Sequence, residues 1–340
     1  MKRMLTTALL IGFSLNTAHA VDNKLTMCIY DPIGQNGYAY NYAKDYALQA
    51  PRFGVNNPID LKIYTNETLV VDDFKAGRCD GALMSSLRAR EFNSFTGSLD
   101  AIGALSSTKD LGIALQVLSS KALAPKMSKG DYEVLGLIPI GPAYMMVNDR
   151  RIDTLNKMKG KKVAVLSVEK SASKVAQKVG AQIVPVDLAT VADAFNTRKV
   201  DVLSAPAVVF KPFELAKGMT AADGTVQGGV IRSPLAEVTA AFVVHKSKLP
   251  NPEVNQKIRD YIYSQLGTAF RFIESSERSV DNKYWINISP ADQQANQVLM
   301  RSTRIEMTNE GIYDKEMMHL LKNIRCKSDP HNAECALNDE

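Results

Sequence analysis

The sequence predicts an α/β chain folded as two similar lobes around a cleft. Three observations carry that expectation. Asp72-Asp73-Phe74, five residues, and Asp80-Gly81-Ala82-Leu83 recur as Asp193-Ala194-Phe195, five residues, and Asp201-Val202-Leu203. Upstream of each copy stands the same succession of apolar strand, small-residue loop, helical stretch and second strand. The strands are near-continuous apolar runs, the pattern of a parallel sheet covered on both faces. A chain that builds one βαβ unit twice has two α/β layers to pack, and the crevice beyond their strand ends is where such folds take ligands.

In the first unit, residues 25–30 read as a strand and Asp31 to Gly37 as a turn-rich loop. Residues 38–50 put Ala39, Tyr42, Ala43, Tyr46 and Ala50 on one helical face, and Pro51 is expected to end that helix. Residues 61–65 are a second strand, 69–76 a helix and 81–84 a third strand ending at Ser85-Ser86. The second unit repeats the order, with strands at 162–168, 181–186 and 200–203 and helices around 172–179 and 191–197. A later strand at 238–245 returns to the first lobe and gives a second crossing, so that a hinge and closure on a ligand become available. Residues 252–272, 290–309 and 314–325 are helical by pattern, with Ser289 capping and Pro290 in the first helical position. The expected organisation is an export signal at 1–20 and a first lobe at 21–143 with a returning segment near 236–250. A second lobe at 144–235 and C-terminal helices at 251–340 packing on both lobes complete it.

Lys2 and Arg3, the apolar run 5–15 and Ala18-His19-Ala20 form a secretory signal with its cleavage site. The apolar run is too short to span a membrane. Residues 134–147 are also apolar, but Pro139, Gly141 and Pro142 interrupt them. The formal charge of +5 falls to +3 without Lys2 and Arg3. No block of like charge suited to nucleic acid remains. Export permits disulfides. Cys326 and Cys335 flank a short Pro-containing loop and are expected to be bonded, worth roughly 2–3 kcal/mol. Cys28 and Cys79 are a candidate second pair on neighbouring strands, left open because Cys28 falls late in its strand and Cys79 just before the other. His331 lies between the C-terminal cysteines, but three ligands in an exported tail suit a disulfide better than zinc.

The strand-end rule selects Asp31 with Gln35 and Tyr38, Ser85 and Ser86 with Arg88, Ser167, Glu169 and Ser171, and Ala205 with Pro206 as ligand-binding candidates. Tyr144 joins them because it stands where the chain crosses between lobes. Asp80 and Asp201 are better read as braces of helix-to-strand turns than as ligand contacts. Of the tyrosines at 38, 42 and 46, only Tyr38 lies near the loop; the others are packing residues. Trp285 reads as core. No G-x-S-x-G, Walker loop or H-E-x-x-H is present, and none of His245, His319 and His331 lies at a cleft edge. A binder rather than an enzyme is expected, with no catalytic residue, metal or cofactor. A hydrolase would need Asp31 and Glu169 to face each other across the cleft.

The run Val134-Leu135-Gly136-Leu137, Gly141-Pro142-Ala143-Tyr144, Asn148 and Ile152-Asp153-Thr154-Leu155 through Lys159-Gly160-Lys161-Lys162-Val163-Ala164-Val165 resembles the central segment of TRAP-transporter-type solute-binding proteins. Lys199-Val200-Asp201-Val202 is similar to their second-lobe G-x-x-D-G element. Within that type the chain most resembles the AdeT-type solute-binding proteins, a group sometimes labelled efflux or aminoglycoside-resistance components. The resemblance implies a two-lobed, type II-like periplasmic binding fold. Each lobe would be a mixed, mainly parallel sheet flanked by helices. It further implies a periplasmic monomer that captures a small-molecule solute for integral membrane transporter components. A periplasmic accessory role in efflux is the alternative. One departure stands out: where the family commonly carries an Arg that binds a ligand carboxylate, this sequence has Ala164. That leaves either a ligand that is not a simple carboxylate, or a relocated anchor such as Arg88; Asp31 and Glu169 would suit a cation. The whole reading requires twin halves, in separate sheets, whose strand tips confront one another.

Overall fold

The computed structural model describes residues 24–105 and 107–340; the expected signal at 1–20 lies outside them. Along the chain come β1 (Leu25–Tyr30), α1 (Tyr38–Phe53), β2 (Ile59–Tyr64), α2 (Glu67–Lys75) and β3 (Gly81–Ser85). Short helices α3 (Ser86–Ala89) and α4 (Ser94–Gly97) lead to α5 (Thr108–Ser119), β4 (Ser128–Lys129) and the long β5 (Tyr132–Val147). The second unit is β6 (Lys162–Leu166), α6 (Lys170–Lys178), β7 (Gln182–Val186), α7 (Val191–Asn196) and β8 (Val202–Pro206). After α8 (Ala216–Met219) the long β9 (Gly229–His245) runs back. It is followed by α9 (Pro252–Ser264), α10 (Leu266–Arg278), β10 (Trp285–Ile286), α11 (Pro290–Asn309) and α12 (Lys315–Ser328).

The two units are built alike. β1 pairs in parallel with β2 and β3, and β6 in parallel with β7 and β8. Each motif aspartate clamps the first strand of its own unit. Thr26 N donates to Asp80 Oδ2 at 2.8 Å, and Asp80 N donates to Thr26 O at 2.7 Å. Lys162 N donates to Asp201 Oδ2 at 2.9 Å, and Asp201 N donates to Lys162 O at 2.7 Å. Each also accepts through its carbonyl from a residue at the end of a long strand, His245 N on Asp80 and Asn148 N on Asp201, both at 3.0 Å. Asp80 and Asp201 are therefore braces, as their turn position suggests. Phe74 and Phe195 of the motifs are both fully buried.

Side chains alternating along β1 divide between two clusters, Met27 and Ile29 on one face and Cys28 with Phe74 and Val70 on the other. In the second lobe Val163 and Val165 join Met145 and Val202, while Ala164 packs on the cluster of Tyr144, Phe195 and Phe210. Both half-sheets are thus covered on two faces, which is why their strands read as unbroken apolar runs.

The lobes do not own separate sheets. Hydrogen bonding continues in the order β2-β1-β3-β9-β5-β8-β6-β7. β5 and β9 are antiparallel from Tyr132↔His245 to Val147↔Gly229, long enough to serve one lobe at each end. β3 pairs with the C-terminal end of β9, and β8 with the C-terminal end of β5. This corrects the expectation of two independent sheets, and the requirement of separate sheets placed on the two-lobed reading fails with it: β5 and β9 carry the hydrogen bonding from one half into the other. It also lengthens the returning strand, which begins at Gly229 rather than at residue 238.

Other boundaries shift for identifiable reasons. Pro51 lies inside α1, which ends at Gly54 with φ +99°. The 252–272 region is two helices, α9 and α10, separated at Gln265. α11 begins as expected, Ser289 Oγ accepting from Asp292 N at 3.1 Å. α9 and α10 pack on β5, α11 on α6, and α12 on α5 and α4. Both cysteine pairs are bonded, with Cα–Cα distances of 5.8 Å for Cys28–Cys79 and 5.6 Å for Cys326–Cys335. The offset that argued against Cys28–Cys79 is present, Cys28 pairing with Ala82 of β3 three residues past Cys79, yet the chain ahead of β3 brings the two Cα atoms within bonding reach. Among the described residues no helix is long and apolar enough to cross a membrane.

Candidate functional site

A cavity of about 460 Å³, counted with its part open to solvent, lies between the strand ends of the two units. Residues 65–68 and Arg88 line it from the first unit, and residues 166–168 and 186–189 from the second. The tips of β2 and of β6 and β7 therefore do confront one another. Arg88 Nη2 donates to Thr68 Oγ1 at 3.0 Å, and its Nε stands 3.9 Å from Glu67 Oε2. Burial holds the Glu67 carboxyl above the usual range, opposed by the Ser85 N–H and by Arg88. Ser85 N donates to Glu67 Oε1 at 2.6 Å, so Glu67 ties the start of α2 to the end of β3. Of the sequence candidates, Arg88 and Ser167 line this cavity.

A second group gathers where β5 and β9 cross. Ser86, fully buried at the start of α3, shares a 2.7 Å hydrogen bond with Thr239 Oγ1 of β9. Thr239 donates from N (2.9 Å) and Oγ1 (2.6 Å) to the two oxygens of Asp100. Burial of its carboxyl end pushes Asp100 up to about 7, with the Thr239 bonds and Arg90 opposing and Glu169 adding to the rise. Two residues back on β9, Glu237 is 3 % exposed. Thr108 Oγ1 reaches its Oε1 at 3.4 Å, and its Oε2 has no partner. Burial first, then Glu277, Asp100 and Asp110, push Glu237 up to about 8. Tyr144 of β5 donates to Glu277 Oε1 at 2.7 Å and sets its ring edge-on to Trp285 at 5.1 Å; Arg232 covers Trp285. Trp285 is thus partly exposed beside the crossing rather than interior core. Pro206 and Ala205 stand opposite Ala143 and Tyr144 in the β5–β8 ladder.

The remaining candidates are engaged locally. Asp31 is 2 % exposed; its Oδ1 accepts from Ile33 N at 2.9 Å and its Oδ2 from Tyr40 N at 3.1 Å. A Cβ on Gly37 would meet that carboxylate at 1.8 Å, so glycine is what lets it seat there. Glu169 caps α6, Oε1 accepting from Ser171 N at 3.0 Å and from Ser171 Oγ at 2.5 Å. Both carboxylates brace turns. Gln35 is exposed on a 3-10 turn, and Tyr38 stacks on Phe272 at 4.3 Å. Ser85 caps α3.

Sequence reasoning passed over Glu67 and residues 186–189, which follow from the same strand-end rule applied to the second strand of each unit. It also passed over Asp100, Glu237, Thr239 and Glu277. Of these, Glu237 and Thr239 carried a signal, being the polar residues in the otherwise apolar stretch 234–244.

Comparison with known proteins gives a consistent result. The family model described as Solute-binding protein AdeT 1/2 matches residues 11–57 and 54–340. "Probable solute-binding protein AdeT1" of Acinetobacter baumannii is 45% identical over 313 residues, covering 92% of this chain and 100% of that protein. "Probable solute-binding protein AdeT2" of the same organism is 26% identical over 241 residues, covering 71% and 99%. A TRAP periplasmic solute binding protein from Desulfovibrio salexigens, solved with bound orotic acid, superposes with a TM-score of 0.73 at 16% identity, over 90% of this chain and 99% of that one. One from Shewanella oneidensis with bound succinate gives 0.71 at 14%, over 89% and 99%. At such identities these structures speak for the two-lobed fold.

Proposed function

The chain belongs to the AdeT 1/2 solute-binding protein family, and on that premise we propose that it captures a small solute between its lobes in the periplasm and hands it to integral membrane transporter components. The observation that carries this reading is the cavity lined by strand ends of both duplicated units, bridged behind by β5 and β9. A ligand that touches both lobes favours the arrangement in which they are close, and by that differential contact alone it shifts the population toward closure. Two disulfides suit an oxidising compartment. The bound molecules of the TRAP-type neighbours, orotic acid and succinate, support solute capture by this fold.

The domain boundaries suggested by the sequence fit this mechanism. Residues 21–143 and the end of β9 would move as one body and 144–235 as the other, with the helices after 251 packed on both. The protein would act as a single chain without cofactor. Native mass spectrometry of freshly purified protein should show a co-purified small molecule, and small-angle scattering should show compaction when that molecule is restored to stripped protein. A radius of gyration unchanged by it would refute capture by closure. Arg88→Ala should weaken that binding severalfold if the guanidinium at the cavity wall anchors the solute; equal affinity would remove Arg88 from the site.

A further inference from the structure

We propose that the crossing of β5 and β9 selects a solute bearing a protonated amine, whose ammonium group donates to the unpartnered Oε2 of Glu237 between Glu277 and Asp100. This rests on the solute-capture reading and gives it a substrate class; the crossing lies outside the lining of the strand-end cavity, but Glu169, which acts on Asp100, follows Val168 of that lining in the chain.

A buried carboxylate ordinarily accepts several hydrogen bonds, and an orphaned one costs stability unless something absent supplies the donor. Glu237 is 3 % exposed, with one long bond of 3.4 Å to Oε1 and none to Oε2. The groups that face it add to the imbalance. From α5 come Thr108 and Asp110, from α10 Glu277, and from the segment before α5 Asp100. Each of those acids has a neutral donor, Ser328 on Asp110, Tyr144 on Glu277 and Thr239 on Asp100. Arg90 and Glu169 act on Asp100, and Arg232 on Tyr144. Arg90 donates to Gly97 O, and Arg232 lies over Trp285. Among the described residues no cation forms an ion pair with Glu237, and a donor able to carry positive charge is what this group of acids lacks.

A metal ion fits less well. Among the described residues the only set of three ligating groups within 4.8 Å of one another is Cys28, Asp73 and Cys79, whose cysteines are disulfide-bonded. The carboxyls of Glu237, Glu277 and Asp100 do not form such a set of three, and carboxyls spread more widely than that suit a cation with several N–H donors. On the facing strand Pro142 and Ala143 oppose Glu237 and Ala236, leaving no competing side-chain donor. In the empty site Glu237 holds its proton at neutral pH, since burial and its acidic neighbours push it up to about 8. An ammonium that replaces this proton must release it, so affinity rises about tenfold per pH unit below that value.

The test uses the mature chain, stripped of co-purified solute, in thermal-shift and calorimetric titrations. The probes are alkyl mono- and diamines, dicarboxylates of the same chain lengths, and calcium chloride. We expect amines to raise the melting temperature and dicarboxylates and calcium to leave it unchanged. Amine affinity should climb between pH 6 and pH 8, with about one proton released per amine bound, read from binding heats in two buffers of different ionisation enthalpy. Glu237→Gln should abolish the proton release and weaken binding at least tenfold. If that variant does not fold, the wild-type pH profile and proton count decide. A shift with dicarboxylates instead overturns the charge assignment while leaving solute capture standing. A shift with calcium alone, or amine binding that is independent of pH, overturns it as well. If no probe binds while scattering still shows closure on the co-purified solute, the amine assignment fails and capture survives. Failure of both brings down the two readings together.

Discussion

Arg259→Met should cost this protein several kilocalories per mole, and the reason lies in how α9 is fastened to the lobe-crossing strand. Arg259 is 2 % exposed and donates from Nη1 to Glu133 Oε1 at 2.7 Å. Glu133, 8 % exposed, sits in β5 opposite Val244 of β9, and its Oε2 accepts from Asn255 Nδ2 at 2.9 Å. Removing the guanidinium leaves a buried carboxylate with one neutral donor, and breaking such a pair costs about 3–5 kcal/mol. An unfolding entropy of about 2.1 cal/mol/K per residue gives about 0.7 kcal/mol/K for the roughly 320 residues that the structure describes. The melting temperature should therefore fall by about 4–7 °C. Urea unfolding followed by Trp285 fluorescence and by far-UV circular dichroism measures the loss, coincident curves licensing a two-state treatment. Glu133→Gln alone should cost a similar amount by stranding the arginine. The double variant should cost less than the sum of the singles, with a coupling of about 2 kcal/mol. A loss below about 1 kcal/mol for Arg259→Met, or strict additivity, would refute the argument, because either result means the pair is solvated rather than buried.

Three further outcomes follow from the same structure. Gly141 holds φ +124° at the lobe crossing, and a Cβ there would come within 3.2 Å of Ile273, so Gly141→Val should lower the melting temperature and reduce ligand-induced compaction in scattering. The Cys28–Cys79 bond closes a sequence separation of 51 residues and Cys326–Cys335 one of 9. Paired Cys→Ala replacement should thus cost about 4 kcal/mol in the first case and about 2.5 in the second, and denaturant midpoints in the reverse order would contradict the chain-entropy account. Glu237 and Asp100 have carboxyls raised to about 8 and about 7 by burial, so their stabilising, protonated forms are complete below the unfolded-state values and lost as pH rises through the raised ones. Urea midpoints of the solute-free protein should fall between pH 4 and pH 8, and Glu237→Gln should flatten that slope; a midpoint that rises across the window would reverse the sign.

What the sequence makes legible is local and periodic. The motif spacing locates two units because an aspartate at the helix-to-strand turn and a buried phenylalanine are needed at the same places in each, and Asp80 and Asp201 make the same pair of backbone contacts with Thr26 and Lys162. The start of α11 is legible from Ser289 and Pro290 because capping involves neighbours only. β5 is not legible as one strand, since Pro139 and Pro142 lack a donor and argue for a break. It persists because β8 pairs with β5 only from Ala143 onward and β4 only at its beginning, leaving the stretch between bonded to β9 alone. In a ladder bonded on one side, a proline whose nitrogen faces the open side removes no bond that the sheet uses.

The site follows the same division. Strand ends can be counted along a sequence, and that count reaches Arg88 and Ser167. The acids at the crossing come from β9, α10 and the segment before α5, far apart in the chain, and only the tertiary fold sets Glu237 beside Glu277 and Asp100. Their location has a mechanical reason. Three of the four register shifts between β5 and β9 fall between Pro139 and Met146. A bulge leaves a residue unpaired and bends its strand. The ladder is therefore most compliant at the stretch whose β9 partners include Glu237 and Thr239. A continuous sheet could be expected to lock the lobes together, but a sheet interrupted at one level bends there and is stiff above and below it. Continuity of hydrogen bonding through β5 and β9 and relative motion of two lobes are for this reason compatible, with the most compliant stretch of the ladder lying beside the unpartnered carboxyl of Glu237.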